Sequence, residues 1–368
     1  MKKDRATAQT TVSRWHVSPL VDALAYHWSW LFALLPALAF GGDESQFWPV
    51  LLVVLGINFS HRLLTLPYVY LDRAVFRTAP RKFLVFPLLM LALFLAAPAL
   101  ELRLPGGKVL IAAAAGFAAA WNVWHVLMQK FGILRIYAAK SGLPLERRTP
   151  AWVDRLLIFA PIPLVACVVL PTQTAAIDRF FRTSRSFMPT LLEAFQTAAP
   201  IVVPCAWAIL VFASVAFLRA ELRAEGPVNR ARLGMAAGIT ALNLSFLVFD
   251  PVKVYLAYGA THAIEYTVFV YAYQRRRYQS PQPHRPLLER LLRRPLLYYG
   301  VMLIGCGAIY VLGKFWGTYV FAGEARPMLL GVTTSRWLFY FAIFQSMVHF
   351  YFDGFLWKMR VESVRAHL

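Results

Sequence analysis

Apolar runs of about twenty residues recur along this chain, each closed by a short polar stretch. A helix needs roughly 20 mostly apolar residues to cross the hydrocarbon of a bilayer. Ten segments meet or approach that length: 22–40, 48–71, 83–100, 109–129, 152–170, 199–218, 233–249, 252–273, 296–313 and 335–357. The first is short, and only a tight Asp250-Pro251 turn separates the seventh from the eighth. The pattern predicts an all-α, polytopic membrane bundle of about ten transmembrane helices. It divides into a tail over 1–21, one transmembrane domain over 22–358 and a second tail over 359–368.

Composition agrees with lipid as the solvent. Of 368 residues, 59% are apolar and 15% charged, against about 25% charged in ordinary soluble domains. The net charge of +20 would suggest nucleic acid in a soluble protein, but basic residues also concentrate in the cytoplasmic loops of membrane proteins. With the N-terminus inside, cytoplasmic connections and the adjoining span ends carry 28 Lys and Arg, and the outer ones carry 9. That bias predicts a multi-pass protein with both ends in the cytoplasm, in the inner membrane if the source is bacterial, and no nucleic-acid partner. The start, with Lys2, Lys3, Arg5 and Arg14, reads as an uncleaved cytoplasmic tail. Cys167, Cys205 and Cys306 fall in apolar runs with neither disulfide nor zinc spacing. The outer loop from Pro171 to Ala198 and the basic inner loop from Arg275 to Arg294 read as connectors and topology signals.

The histidines change the picture. His16, His27, His284 and His367 lie in tails, loops or a span start, and read as interfacial or solvated. His61, His125, His262 and His349 instead lie inside spans 2, 4, 8 and 10. All four spans run in the same direction, so depth can be counted forward to the next cytoplasmic basic residue. The offsets to Arg73, Arg135, Arg275 and Lys358 are 9 to 13 residues, or roughly 14–20 Å at 1.5 Å per residue. Lys130 comes sooner after His125 and is expected to snorkel. Four imidazoles therefore share one depth. Each has polar company at helical spacing: Asn58 before His61, Asn122 and Gln129 around His125, Glu265 after His262, and Gln345 and Asp353 around His349. A carboxylate deep in a span costs about 2.5–3.5 kcal/mol on insertion scales and so marks an interior or a function.

This donor set predicts a metal centre. His61, His125, His262, His349, Glu265 and Asp353 are the candidate ligands, with the two carboxylates also candidate catalytic proton carriers. Asn58, Asn122, Gln129 and Gln345 are candidate supporting groups that orient the imidazoles. Arg62 is placed to pair a carboxylate or to hold an anionic substrate head. Imidazole with carboxylate suits iron, zinc or manganese, and iron is expected, with a dinuclear site open to it. Soluble di-iron bundles place Glu and Glu-x-x-His on four helices, a similar logic with the order reversed. The expected activity is that of a metal-dependent oxidoreductase, a di-iron-like oxygenase, hydroxylase or desaturase. Its partners are membrane lipids, a hydrophobic substrate and an electron donor. Zinc would instead make an intramembrane lipid hydrolase, and the same polar cluster could serve a proton-coupled transporter. Haem is disfavoured, because an electron path across the membrane wants its haems at different depths.

The general plan is similar to that of membrane-bound fatty-acid desaturases and hydroxylases, which gather histidines at the cytoplasmic face. Their boxes of closely spaced histidines are missing, as is the histidine pair of ceramidase-like zinc amidases. No family is assigned on that likeness, and no residue role is carried over from it.

Overall fold

A computed structural model describes residues 14–39, 48–141, 149–172, 188–223, 228–278, 286–302, 307–308, 328–329 and 331–357. Most of the outer loop with Arg179, Arg182, Arg185, Phe180, Phe181 and Phe187 lies outside these residues. So do His284, His367, Cys306, most of the ninth span beyond 302 and the tail over 359–368.

The described chain is all-α apart from a two-residue antiparallel pair, β1 (Met328–Leu329) with β2 (Val332–Thr333). The helices that matter below are α1 (Leu31–Ala39), α2 (Trp48–Leu63), α3 (Pro80–Arg103), α4 (Gly107–Ala139) and α5 (Ala151–Phe159). After them come α6 (Met188–Arg223), α7 (Arg230–Ser245), α8 (Pro251–Arg277), α9 (Pro295–Met302) and α10 (Thr334–Leu356). Their starts are legible in local chemistry. The Asp250 side chain accepts from the Val252 and Lys253 amides at 2.9 and 3.1 Å, and Pro251 opens α8. That satisfies donors which the first helical turn leaves orphaned. Asn229 caps α7 in the same way. Gly106, at φ 76°, turns the chain from α3 into α4 in a left-handed conformation that glycine adopts without strain.

Five helical segments are long and apolar enough to cross a membrane: Leu52–Leu71, Pro80–Arg103, Gly107–Ala139, Ala151–Thr172 and Leu192–Arg223. They mark a membrane protein. Among the described residues, α8 and α10 have the length but not the apolarity, and α7 is only 16 residues long. Burial explains the difference. Helix α3 exposes Leu84, Val85, Leu88, Leu89 and Leu95, and α6 exposes Ile201, Val211 and Phe212; surfaces that apolar suit lipid. Helix α8 is buried almost throughout, from Lys253 to Gln274, and can carry polar side chains because its neighbours are protein. It packs on α1, α2, α4 and α7, and α10 packs on α2, α3 and α4.

Ion pairs tie helix ends together. At one end of the bundle Arg336 donates to both Glu101 oxygens, at 2.8 and 2.6 Å. At the other, Arg277 meets Asp72 at 3.4 Å. Beside α5, the buried Asp154 carboxylate takes Arg135 at 2.9 Å and a second close contact from Arg232, whose Nε reaches Glu221 at 3.2 Å.

Two histidines read as solvated are buried. His27 ends a π-helical turn, Ala23–His27, and lies so close to Gly234 and Gly238 of α7 that no side chain fits at either glycine. His16 hydrogen-bonds Tyr26 at 2.8 Å, its amide donates to Asp22 at 2.6 Å, and its ring stacks on Phe269. The polar sequence around His16 hid this, because its partners lie on α8 and on the turn that follows. Burial first, then the charges of Arg276 and Lys140, push the His16 imidazole down to about 3. The unfolded chain therefore binds a proton near pH 6.5 that the folded chain refuses, and this contribution to stability is lost as pH falls from about 6.5 toward 3. The expected slope is up to about 1.4 kcal/mol per pH unit. Thermal unfolding of His16→Gln beside the parent should show a flatter acid limb; parallel curves would contradict the assignment.

Candidate metal centre

The four span histidines meet. His61 comes from α2, His262 from α8, His125 from α4 and His349 from α10. Their rings form a closed circuit: His61 to His262 at 4.7 Å, His262 to His125 at 5.1 Å, His125 to His349 at 4.9 Å, and His349 back to His61 at 5.0 Å. Interplanar angles of 72–90° set neighbouring rings edge to face. The helices contact one another in the same order, α2 to α8 to α4 to α10 and back to α2. One imidazole thus comes from each corner of a four-helix core. His61, His262 and His349 are about 1% exposed, and His125 is at 9%.

Among the described residues, most of these ring nitrogens find no hydrogen-bond partner. Both nitrogens of His61, His262 and His349, and Nε2 of His125, are buried without a hydrogen bond. A buried polar atom left unpaired costs about 1–3 kcal/mol. Seven of them would cost roughly 7–20 kcal/mol, comparable to the whole stability of an ordinary domain. Ligand atoms of His61, His262 and His349 lie within 4.8 Å of one another, as do those of His125, His349 and Asp353. Two nitrogens on opposite sides of one ion, each at about 2.1 Å, stand about 4.2 Å apart. Three nitrogens or oxygens spread evenly around such an ion stand about 3.6 Å apart, so side-chain movements of up to about 1 Å close either group around an ion.

Asp353 divides its two oxygens. Oδ1 accepts from the Tyr266 hydroxyl at 2.7 Å and from the Trp357 indole at 3.0 Å. Oδ2 faces Nε2 of His125 at 3.7 Å and Nε2 of His349 at 3.6 Å. One oxygen is anchored, and the other points into the circuit of rings.

Glu265 is placed differently. It is fully buried, and Oε1 takes the Lys130 ammonium at 2.7 Å and the Thr261 hydroxyl at 3.3 Å. Oε2 takes the Gln129 amide at 3.0 Å. Its oxygens are occupied by these donors, and it joins neither ligand group. Lys130 does not snorkel: it is 1% exposed and sits over the Tyr258 ring at 5.5 Å. The cytoplasmic charge expected after His125 is in fact the counter-ion of Glu265.

The supporting amides hold helices rather than rings. Gln129 donates to the His262 carbonyl at 3.1 Å, Gln345 to the Phe59 carbonyl at 3.0 Å, and Asn58 to the Gly259 carbonyl at 3.4 Å. Each crosses to a neighbouring histidine helix within three residues of its histidine, which fixes the helices at the level of the circuit. Among the described residues Asn122 makes no hydrogen bond to a ring. Arg62 donates to Ser346 at 2.6 Å and to Asn58 at 2.8 Å, joining α2 to α10.

Sequence reasoning did not pair Asp353 with its anchors. Trp357, at the end of the tenth apolar segment, stands four residues after Asp353 and donates to it; that spacing was the available signal. Tyr266, four residues after His262, packs on His61 and His349 at 5.6 and 5.0 Å. Ser29 and Thr261 make a close hydroxyl contact beside Glu265, and nothing in the sequence pairs them. Compared with models of known families, with curated proteins and with solved structures, the chain matches none.

Proposed function

We propose that this protein is a membrane-embedded, metal-dependent oxidoreductase whose centre is a non-haem iron held by His61, His262 and His349, with His125 and Asp353 closing the remaining side. The observation that carries the reading is the set of seven buried imidazole nitrogens without a hydrogen bond, two of which face the second oxygen of Asp353. Imidazole with carboxylate is a borderline donor set that suits iron, and the donors fall into two groups of three that share His349. Glu265 does not contribute, so the set carries fewer carboxylates than a soluble di-iron bundle. Haem fits poorly, because the four rings neighbour one another all the way round and leave no clear plane for a porphyrin.

The substrate is a lipid or another hydrophobic molecule. His125 is the most exposed of the four, and its ring lies 4.8 Å from Phe350, which lies 6.3 Å from Trp121. That aromatic approach borders the exposed Trp124 and Phe117 of α4, so substrate enters from the lipid side. The bundle crosses the membrane ten times with both ends in the cytoplasm; the alternation of basic loops supports this, as do the ion pairs that join helix ends at either end of the bundle. Iron-loaded protein in lipid nanodiscs should consume dioxygen when supplied with a reductant and a membrane lipid extract, with hydroxylated, desaturated or cleaved lipid among the products. Lipid hydrolysis supported by zinc, without dioxygen uptake, would overturn the oxygen chemistry in favour of a hydrolase.

A further inference from the structure

The polar heads of Tyr266 and Trp357 converge on the one carboxylate that also faces the histidines. Tyr266 donates to Asp353 Oδ1 at 2.7 Å, and the Trp357 indole nitrogen lies 3.0 Å from that oxygen and 3.2 Å from the Tyr266 hydroxyl. The Tyr266 ring touches two of the four imidazoles. On its far side Trp357 stacks on Tyr68, with centroids 5.4 Å apart and planes 19° from parallel, and it meets Tyr273 edge-on at 5.2 Å. The Tyr68 hydroxyl donates to that of Tyr273 at 3.1 Å, and Arg277 donates to Tyr273 at 3.3 Å. Arg277 belongs to the basic run that ends α8, where Arg275 is exposed. An unbroken series of oxidisable rings therefore leads from the histidine circuit to the basic end of the bundle.

Packing alone does not require these residues. Phenylalanine fills nearly the same volume as tyrosine and offers the same kind of apolar ring surface as tryptophan, and the chain uses it freely nearby at Phe269, Phe350 and Phe352. The hydroxyl and the indole N–H are what Phe lacks, and both are aimed at Asp353.

We propose that Tyr266 and Trp357 form a one-electron relay between the iron centre and an external one-electron donor that approaches the Arg277 end; the relay rests on the oxidoreductase reading. Dioxygen is the oxidant at the centre. Tyr266 gives one electron to the oxidised centre while its O–H proton moves to Asp353 Oδ1, leaving a neutral tyrosyl radical. Trp357 then gives an electron to Tyr266, which takes its proton back from Asp353. The tryptophan radical cation is refilled through Tyr68 by the donor. One electron has then passed from donor to centre, and no proton is gained or lost.

The test uses the full chain in detergent, loaded with ferrous iron without oxygen, then mixed with dioxygen and frozen at intervals for electron paramagnetic resonance. Bound iron is assayed in the same samples. The wild type should give a tyrosyl radical whose signal narrows when ring-deuterated tyrosine is incorporated. Tyr266→Phe should lose the signal with its iron retained. Trp357→Phe should lengthen its lifetime, because the route that refills Tyr266 is cut, and a merely structural role predicts no such lengthening. Iron that binds and oxidises with no organic radical in either wild type or Trp357→Phe overturns the relay and leaves the iron centre standing. So does a radical unaltered in Tyr266→Phe. Should Tyr266→Phe not fold, deuteration and Trp357→Phe still decide the matter. A wild-type chain that takes up no iron overturns the centre itself, and the relay with it.

Discussion

Replacing His349 with alanine should strip the metal from the protein and abolish its activity together. His349 belongs to both ligand groups, so its loss breaks the His61–His262–His349 triad and the His125–His349–Asp353 triad at once. Changes to groups that merely support a ligand cost about 10–100-fold in metal affinity, and removing a shared ligand should exceed about 100-fold on that scale. Iron titration of the purified variant beside wild type measures this. Asn122→Ala is the matched control, since Asn122 lies one turn before His125 without a hydrogen bond to any ring. It should bind iron as the parent does. Full iron affinity in His349→Ala would remove that residue from the ligand set.

The second large effect is on stability. Lys130→Met leaves Glu265 fully buried without its counter-ion, and breaking a buried pair from one side costs about 3–5 kcal/mol. Gln129 and Thr261 remain as neutral donors and do not replace a charge. Adding Glu265→Gln removes the stranded carboxylate while preserving its shape, and should restore most of the loss, because exchanging a whole buried pair for neutral groups is often close to neutral. Unfolding in detergent, followed by circular dichroism or by labelling of buried cysteine such as Cys167, reads both steps. The double variant also discriminates on chemistry. With Glu265 outside the ligand set it should keep its iron, and loss of iron from a folded double variant would return Glu265 to the centre.

The depth of the four span histidines was legible because lipid makes polar groups costly, so a lone imidazole in an apolar run already marks an interior. Counting residues to the nearest basic end then places the four on one level, and the rings do meet. The helices were legible for the same reason, with each of the ten apolar segments falling at least partly on helix among the described residues. What the pattern does not contain is pairing between helices. Glu265 stands three residues from His262 and so resembles a ligand, yet the group that claims it is Lys130, 135 positions away in sequence. Lys130 in turn resembles a charge at a helix end, and only the packing of α4 on α8 shows it to be interior. Gln129, Gln345 and Asn58 have the correct spacing to touch imidazoles but bond to carbonyls of the neighbouring helix, a choice made by helix rotation. His16 sits in a polar stretch whose burial depends on Tyr26, Phe269 and Arg276, none of them local in sequence except Tyr26.

The central claim is that a metal occupies the histidine circuit, and the most direct measurement is metal content by mass spectrometry on the full chain, purified in detergent without chelators. A visible spectrum is taken on the same sample. The expected result is stoichiometric iron with no Soret band, falling to background in His349→Ala. A Soret band would put haem in its place, and a wild-type protein that carries and takes up no transition metal would contradict the account, leaving the imidazoles as proton carriers in a transport path.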